Sequence, residues 1–118
     1  NYFLITALRR FHRWLGSEFT VEYPQGSGHK VSLDAVANDL SRRLVAIFAR
    51  GSDGRRPVNG GVDLFDRDPH WCDRINFYEY FHGDTGRGVG AAHQTGWTGL
   101  VAALIQELHE SDPIPLSH

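Results

Sequence analysis

Residues 33–49, LDAVANDLSRRLVAIFA, carry the clearest periodic pattern in this sequence. Apolar side chains recur there every three or four residues, and this spacing places them on one face of an α-helix. They are Leu33, Val36, Ala37, Leu40, Leu44, Ile47 and Phe48. Ser32 precedes the pattern as a natural N-cap, and Asp34 places an acidic group in the first turn. The stretch is therefore predicted to be an amphipathic helix.

Two more helices are predicted, one on each side of this stretch. The first covers residues 2–15, with Gly16 as its C-terminal stop. Its wide apolar face implies that other parts of the protein pack on it from more than one side. That face is built on Leu4, Leu8, Phe11 and Leu15. The last begins near Thr95 or Gly96 and is ended by Asp112-Pro113. Its predicted buried residues are Trp97, Val101, Leu104, Ile105 and Leu108.

The segments between the helices are long and rich in aromatic residues and glycine. Residues 19–23 alternate as a short extended stretch, residues 51–69 have no sustained period, and residues 75–81 are almost all aromatic or β-branched. The glycine run at 86–90 is interpreted as a flexible connection into the last helix. Loops of this length are unusual in a stand-alone helical bundle. We expect a mainly α chain of about three helices that is part of a larger helical array.

Composition excludes several classes of protein. The chain has 118 residues, a length from which we expect a single unit. Its formal net charge of −2 argues against the basic face of a nucleic-acid binder. Cys72 is the single cysteine, which excludes an internal disulfide. No apolar run is long enough to span a membrane, and a cytoplasmic location is the simplest expectation. The absence of methionine and the immediate helical start suggest a C-terminal fragment of a longer protein.

Glu79 is the most informative carboxylate. It is the only acidic residue in the apolar and aromatic run 75–81. Aromatic surroundings desolvate a carboxylate and can suit it to general acid or base catalysis near neutral pH. Aromatic rings also stack against sugars. The alternative from composition alone is a strand in which Glu79 points to solvent between buried rings.

Other polar groups give weaker signals. His70, Cys72, His82 and His93 are of the types that bind zinc, but they lack the tight spacing of a zinc motif. The glycine run lacks the features of a nucleotide loop, so no cofactor is expected. An arginine cluster is interpreted as a solvated face and loop; it comprises Arg42, Arg43, Arg50, Arg55 and Arg56.

The string HQTGWT at 93–98 could direct polar groups and an indole toward a pocket. The alternative is simple helix capping by Thr95 with Trp97 in the core. Both interpretations remain open on composition alone.

Two strings, FYEYFHGDTG at 77–86 and HQTGWTGLV at 93–101, together with the opening NYFLI at 1–5, resemble a known family. They are similar to the C-terminal end of the catalytic domain in glycoside hydrolase family 63, which includes processing α-glucosidases and mannosylglycerate hydrolases. The resemblance implies a C-terminal fragment of an (α/α)6 toroid. It also implies an inverting hydrolase of α-glucosyl or α-mannosyl compounds.

The same resemblance implies roles for individual residues. Glu79 matches the general base, while Tyr78, His93, Gln94 and Trp97 are the implied substrate-binding residues. No segment matches the part that carries the general-acid Asp, so the remainder of the same catalytic domain is the expected partner. The fragment alone is expected to be inactive and to expose apolar faces around Leu8, Phe11 and Leu44.

Two other hypotheses belong to different classes. A non-catalytic helical module could bind carbohydrate or another protein with the same aromatic residues. A small metal-dependent protein would use His70, Cys72 and His93, and would contain stoichiometric zinc.

Overall fold

The computed structural model describes residues 1–93 and 96–111. In these ranges the α-helices are α1 (Tyr2–Leu15), α2 (Leu33–Ala46), α3 (Asp63–Arg67) and α4 (Val101–Ser111). The strands are β1 (Thr20–Glu22), β2 (Lys30–Ser32), β3 (Tyr78–Phe81) and β4 (Gly88–Ala92). Short 3-10 turns cover Pro57–Asn59 and Trp97–Leu100. The chain divides into two compact units, one of residues 1–43 with the segment from residue 107, the other of residues 44–106.

The expected mainly α toroid fragment of about three helices is wrong. Across the described ranges the chain is α+β, with four α-helices and two separate two-stranded antiparallel sheets. Both sheets are local hairpins, β1 with β2 and β3 with β4. Strand β1 lies in the stretch 19–23 that was predicted to be extended, whereas β4 overlaps the glycine run that was expected to be a connection. Because hairpin strands need only a short connection, the glycine-rich turns favour local pairing over the helix pairs of a toroid.

The first unit begins with α1, whose predicted bounds are confirmed. Gly16 ends the helix at a positive φ, and its amide donates to the carbonyl of His12 over 2.8 Å. Ile5 is the buried residue of this helix, whereas Phe11 is 55% exposed, as expected. Leu8 and Leu44, for which exposure was also expected, are half-buried.

A polar cluster joins the end of the first hairpin to α2 within this unit. The Tyr23 hydroxyl donates to Oδ2 of Asp39 over 2.6 Å, and Arg43 Nε lies 2.7 Å from the same oxygen. The hydrogen bond from Tyr23 is the main reason that the pKa of Asp39 is lowered, and the charge of Arg43 adds to this effect. The same hydrogen bond raises the pKa of Tyr23.

The predicted start of α2 is correct and its predicted end is three residues too late. The Ser32 hydroxyl accepts the amide of Ala35 over 3.2 Å and caps the helix. The helix ends at Ala46 because the Ile47 carbonyl accepts the amide of Val58 over 2.9 Å instead of continuing the helical ladder. Residues from 47 onward therefore join the core of the second unit.

That core is built from apolar side chains of different segments. Phe48, Val58 and Val101 are buried together, and the aromatic rings of the β3 region pack around them. The ring centroids of Phe48 and Phe81 lie 5.5 Å apart in an edge-to-face arrangement. This packing fixes β3, and thereby its hairpin, against the body of the unit.

The predicted last helix is shifted toward the C-terminus. Residues Trp97–Leu100 form a 3-10 turn and α4 begins only at Val101. Val101 and Leu104 are buried as predicted, but Trp97 is 62% exposed and Ile105 is also exposed. Asp112-Pro113, the predicted end, lies outside the described residues. None of the helices within the described ranges has the length and hydrophobicity needed to cross a bilayer.

Candidate functional site

The hairpin of β3 and β4 contains a β-bulge opposite Glu79. Tyr78 pairs with Ala92 and Tyr80 pairs with Val89. Glu79, the one residue between them on β3, is therefore opposite Gly90 and Ala91 on β4. A bulge of this kind leaves one residue out of the ladder and changes the direction of nearby side chains. The glycine run expected to be a flexible connection is thus a strand with an irregularity next to the candidate base.

The bulge provides an anchor for the Glu79 carboxylate. The amide of Ala91 donates to Oε2 of Glu79 over 3.1 Å. Gly90 has a φ of 81°, and a Cβ at this position would overlap Oε2 of Glu79. The backbone conformation therefore favours glycine at residue 90, and any larger residue there would displace the Glu79 carboxylate.

The second carboxylate oxygen, Oε1, accepts no hydrogen bond from any residue that the structure describes. Glu79 is half-buried on β3. One bonded oxygen and one without a partner in the described residues give the carboxylate a defined orientation and leave an acceptor open.

Trp97 is held against the same strand. Its indole Nε1–H donates to the backbone carbonyl of Glu79 over 2.9 Å. Because Trp97 is also 62% exposed, its indole is held at the N–H while much of the residue remains open to solvent. The interpretation of Trp97 as a core residue is wrong.

His93 lies directly after β4 in an uncommon backbone conformation, with a φ of 61°. Its amide donates to the carbonyl of Phe77 over 2.6 Å, and its Nε2 lies 3.2 Å from Oδ1 of Asn76. The imidazole also meets the Phe77 ring edge to face, with centroids 6.1 Å apart. These contacts fix an exposed imidazole at the end of the hairpin. Gln94, the neighbouring predicted substrate-binding residue, lies outside the described residues.

Tyr78 is placed differently from the other predicted site residues. Its ring packs against the hydrophobic core and covers Gly88, where a Cβ would overlap the ring. Neighbouring strand residues point to opposite faces, so this position follows from its place next to Glu79. The structure brings Glu79 and Trp97 into contact and assigns the Tyr78 ring mainly to packing.

Sequence reasoning missed Asn76, Gly90 and Ala91. Asn76 orients His93, Gly90 makes room for the carboxylate, and Ala91 donates to it. Glycine inside a strand often marks a bulge or a close approach, but residues 88–92 are mostly uncommon in strands, so this signal at Gly90 depends on knowing the hairpin first. Nothing in the sequence distinguishes Asn76.

Metal binding receives no geometric support. Among residues 1–93 and 96–111, no group of three or more His, Cys, Asp or Glu side chains is arranged to hold a metal ion. His70, Cys72, His82 and His93 are therefore not brought together as a site. Cys72 is a half-buried free thiol.

Comparisons with known proteins add one relative. No family model matches the chain. No solved structure matches it either. The chain is 42% identical over 110 residues, 92% of its length, to the uncharacterized protein YMR196W of Saccharomyces cerevisiae. The match covers 10% of the length of that yeast protein.

Proposed function

We propose that this chain is a segment of a larger inverting glycoside hydrolase that acts on α-linked glucosyl or mannosyl compounds, with Glu79 as the general base. The observation that carries the proposal is the arrangement of the Glu79 carboxylate. Oε2 is held by the Ala91 amide, and Oε1 accepts no hydrogen bond from the described residues. The similarity of residues 77–86 and 93–101 to glycoside hydrolase family 63 indicates the reaction class.

In the proposed reaction Oε1 of Glu79 accepts a proton from a water molecule while the water oxygen attacks the anomeric carbon. A carboxylic acid from another part of the full-length protein protonates the departing glycosidic oxygen. The new bond from the water oxygen to the anomeric carbon thus forms on one face of the sugar while the glycosidic bond breaks on the other. The configuration of the anomeric carbon therefore inverts. Such an acid lies roughly 6.5–9.5 Å from the base in inverting enzymes, which leaves room for the water.

The exposed ring of Trp97 supports a sugar as the ligand. An indole fixed through its N–H presents a flat apolar face, and the C–H groups of a pyranose ring pack well against such a face. Because the N–H of Trp97 is bonded to the backbone carbonyl of Glu79, a sugar stacked on the ring would lie close to the strand that carries the proposed base. His93, Gln94 and Tyr78 remain proposed substrate contacts on the strength of the family resemblance.

The test replaces Glu79 by Gln in the full-length protein that carries this chain. Release of glucose or mannose is measured from α-glucosyl and α-mannosyl compounds, and the first anomer formed is identified by proton NMR. The wild-type protein is expected to release the β-anomer first. Glu79→Gln is expected to lower kcat at least about a hundredfold, because the amide cannot accept the proton.

Glu18→Gln is the matched control. Glu18 is exposed and makes no hydrogen bond to the described part of the chain, so its loss removes the same charge without touching the hairpin. Normal turnover by Glu79→Gln would overturn the assignment of the base. Release of the α-anomer first would exclude an inverting mechanism.

A second candidate, a carbohydrate-binding module without catalysis, is favoured by the exposure of Trp97. It predicts that wild-type protein binds glucosyl or mannosyl ligands without any turnover. Under this alternative Trp97→Ala abolishes binding, and Glu79→Gln leaves the protein as inactive as the wild type.

A further inference from the structure

The second unit contains a concave site away from the candidate base. A cavity of about 630 Å³ lies between the loop at residues 51–61 and the hairpin turn at residues 82–87. Its charged lining consists of Arg55, Arg56 and Arg87, with Asp53 as the carboxylate and His82 as a further titratable group. Glu79, His93 and Trp97 do not line this cavity. Of the arginines expected to form a solvated face and loop, Arg55 and Arg56 line this concave surface, together with Arg87, which was not part of that cluster.

Arg55 is already neutralised by neighbouring groups. Its Nη2 donates to Oδ1 of Asp63 over 2.8 Å, and its Nη1 donates to the carbonyl of Gly61 over 3.1 Å. Asp53 in turn accepts the backbone amide of Arg55 over 3.0 Å. Arg55 therefore shapes the cavity wall and leaves the other arginines as candidates for ligand binding.

Arg87 has no counter-ion among the residues that the structure describes. Its guanidinium makes no hydrogen bond or ion pair with any residue in the described ranges. Its aliphatic stem lies directly over Gly60, where a Cβ would overlap Cγ and Cδ of Arg87. Gly60 has a φ of 62° and so is suited to the loop in both conformation and size. The stem of Arg87 thus occupies the space that a side chain at residue 60 would fill.

Arg56 is fixed through one edge of its guanidinium. Nη1 donates to the carbonyl of Phe48, whereas Nη2 makes no hydrogen bond to the described residues. Its Nε is buried without an acceptor. Among those residues no carboxylate forms an ion pair with Arg56. The cavity is consequently lined by two arginines, Arg56 and Arg87, whose guanidinium groups form no ion pair with a carboxylate of the described residues.

We propose that this cavity is a binding site for a phosphoryl group, held by the guanidinium groups of Arg87 and Arg56. Planar guanidinium groups match the oxygen spacing of phosphate and bind it through paired charge-assisted hydrogen bonds. Two uncompensated cations favour a dianion over a monocarboxylate. The volume of about 630 Å³ is that of a small-molecule site, so an organic phosphate ester fits as well as the free ion. The proposal does not depend on Glu79.

The experiment is isothermal titration of the full-length protein at constant ionic strength with three probes: inorganic phosphate, glucose 6-phosphate and acetate. We expect saturable binding of phosphate or its ester with one site per chain, and no comparable binding of acetate. Arg87→Gln is expected to weaken that binding at least about tenfold, because charge-assisted hydrogen bonds are lost. Arg87→Lys keeps the charge but loses the paired N–H donors of the guanidinium group. Its affinity for phosphate is expected to lie between those of the wild type and Arg87→Gln.

Arg13→Gln is the matched control, since Arg13 is an exposed arginine of α1. The Arg13→Gln and Glu79→Gln variants should bind phosphate with the affinity of the wild type. Tighter binding of glucose 6-phosphate than of inorganic phosphate identifies a phosphate ester as the ligand, while equal affinities identify the phosphate group alone. Absence of saturable phosphate binding, acetate binding of equal strength, or equal losses in the Arg13 and Arg87 variants would overturn the proposal. Folding of each variant is checked by circular dichroism, and Arg87→Lys decides the case if Arg87→Gln does not fold.

Discussion

The amide of Ala91 on β4 donates to the side chain of Glu79 on β3 instead of entering the backbone ladder between the two strands. In a regular antiparallel pair such an amide would bond to a carbonyl of the facing strand. The extra residue on β4 releases it, and the carboxylate becomes its acceptor. The irregular hairpin therefore sets the direction of the one acidic side chain that the sequence marks as a general base.

Gly90→Ala tests whether the bulge needs glycine. The new methyl group would overlap Oε2 of Glu79, and the residue would keep a φ of 81° that favours glycine. We expect a loss of about 1–3 kcal/mol in the free energy of unfolding, measured by urea denaturation. Gly83→Ala is the control, because a Cβ there meets nothing within 4 Å. Equal stability of the two variants would contradict the described bulge.

Trp97→Phe tests the anchored indole in the full-length protein. Phenylalanine keeps an aromatic face but removes the donor to the Glu79 carbonyl. The ring is then free to rotate, so we expect KM for the sugar substrate to rise several-fold with a smaller change in kcat. Trp14→Phe is the control, since Trp14 is an exposed residue of α1. A kcat loss with unchanged KM would show that Trp97 acts in some other way.

Tyr23→Phe tests the polar cluster of the first unit. The pKa of Asp39 is lowered chiefly by the Tyr23 hydrogen bond, so this stabilisation is present above the usual aspartate pKa and is lost as the pH falls through the lowered value. The pKa of Tyr23 is raised, so the same bond is kept up to a pH of about 10 and is lost at higher pH, as the pH rises through the raised value.

We therefore expect Tyr23→Phe to cost roughly 0.5–1 kcal/mol of unfolding free energy near neutral pH, since solvent screens this half-exposed pair. The cost should shrink below a pH of about 4 and above about 10, as urea denaturation at several pH values would show. Tyr2→Phe, whose hydroxyl has no hydrogen bond to the described residues, is the control. A cost that does not vary with pH would contradict the assigned cause.

Val58→Ala tests the core of the second unit. Val58 is 1% exposed and packs with Phe48 and Val101, so truncation leaves a cavity beneath the hairpin. We expect a loss of roughly 2 kcal/mol in the free energy of unfolding, against less than about 0.5 kcal/mol for Val62→Ala at a position that is 47% exposed. Similar losses for both variants would show that Val58 is not a core residue.

Local signals in the sequence were enough to locate the first two helices. The bounds of α1 and the start of α2 depend on periodicity, on Gly16 and on Ser32, all of which act within a few residues. The end of α2 depends on a hydrogen bond between Ile47 and Val58, which are distant in sequence. Long-range contacts of this kind leave no local pattern.

Strand β4 is a second element that local sequence patterns do not predict. Its sequence, GVGAA, consists mostly of residues that are uncommon in strands, so propensity predicts a connection. Pairing with the aromatic strand β3 overrides that preference. Glu79 and Trp97 could be chosen as site residues from composition and resemblance, but the contact that joins them depends on this unpredicted hairpin.

The extra residue in β4 also limits how this segment can vary during evolution. Deleting Gly90 would equalise the two strands and let the released amide return to a backbone carbonyl. A more regular and more stable hairpin would result, and the acidic group would lose its fixed direction. Retention of the irregularity would then accord with the role proposed for the acidic group.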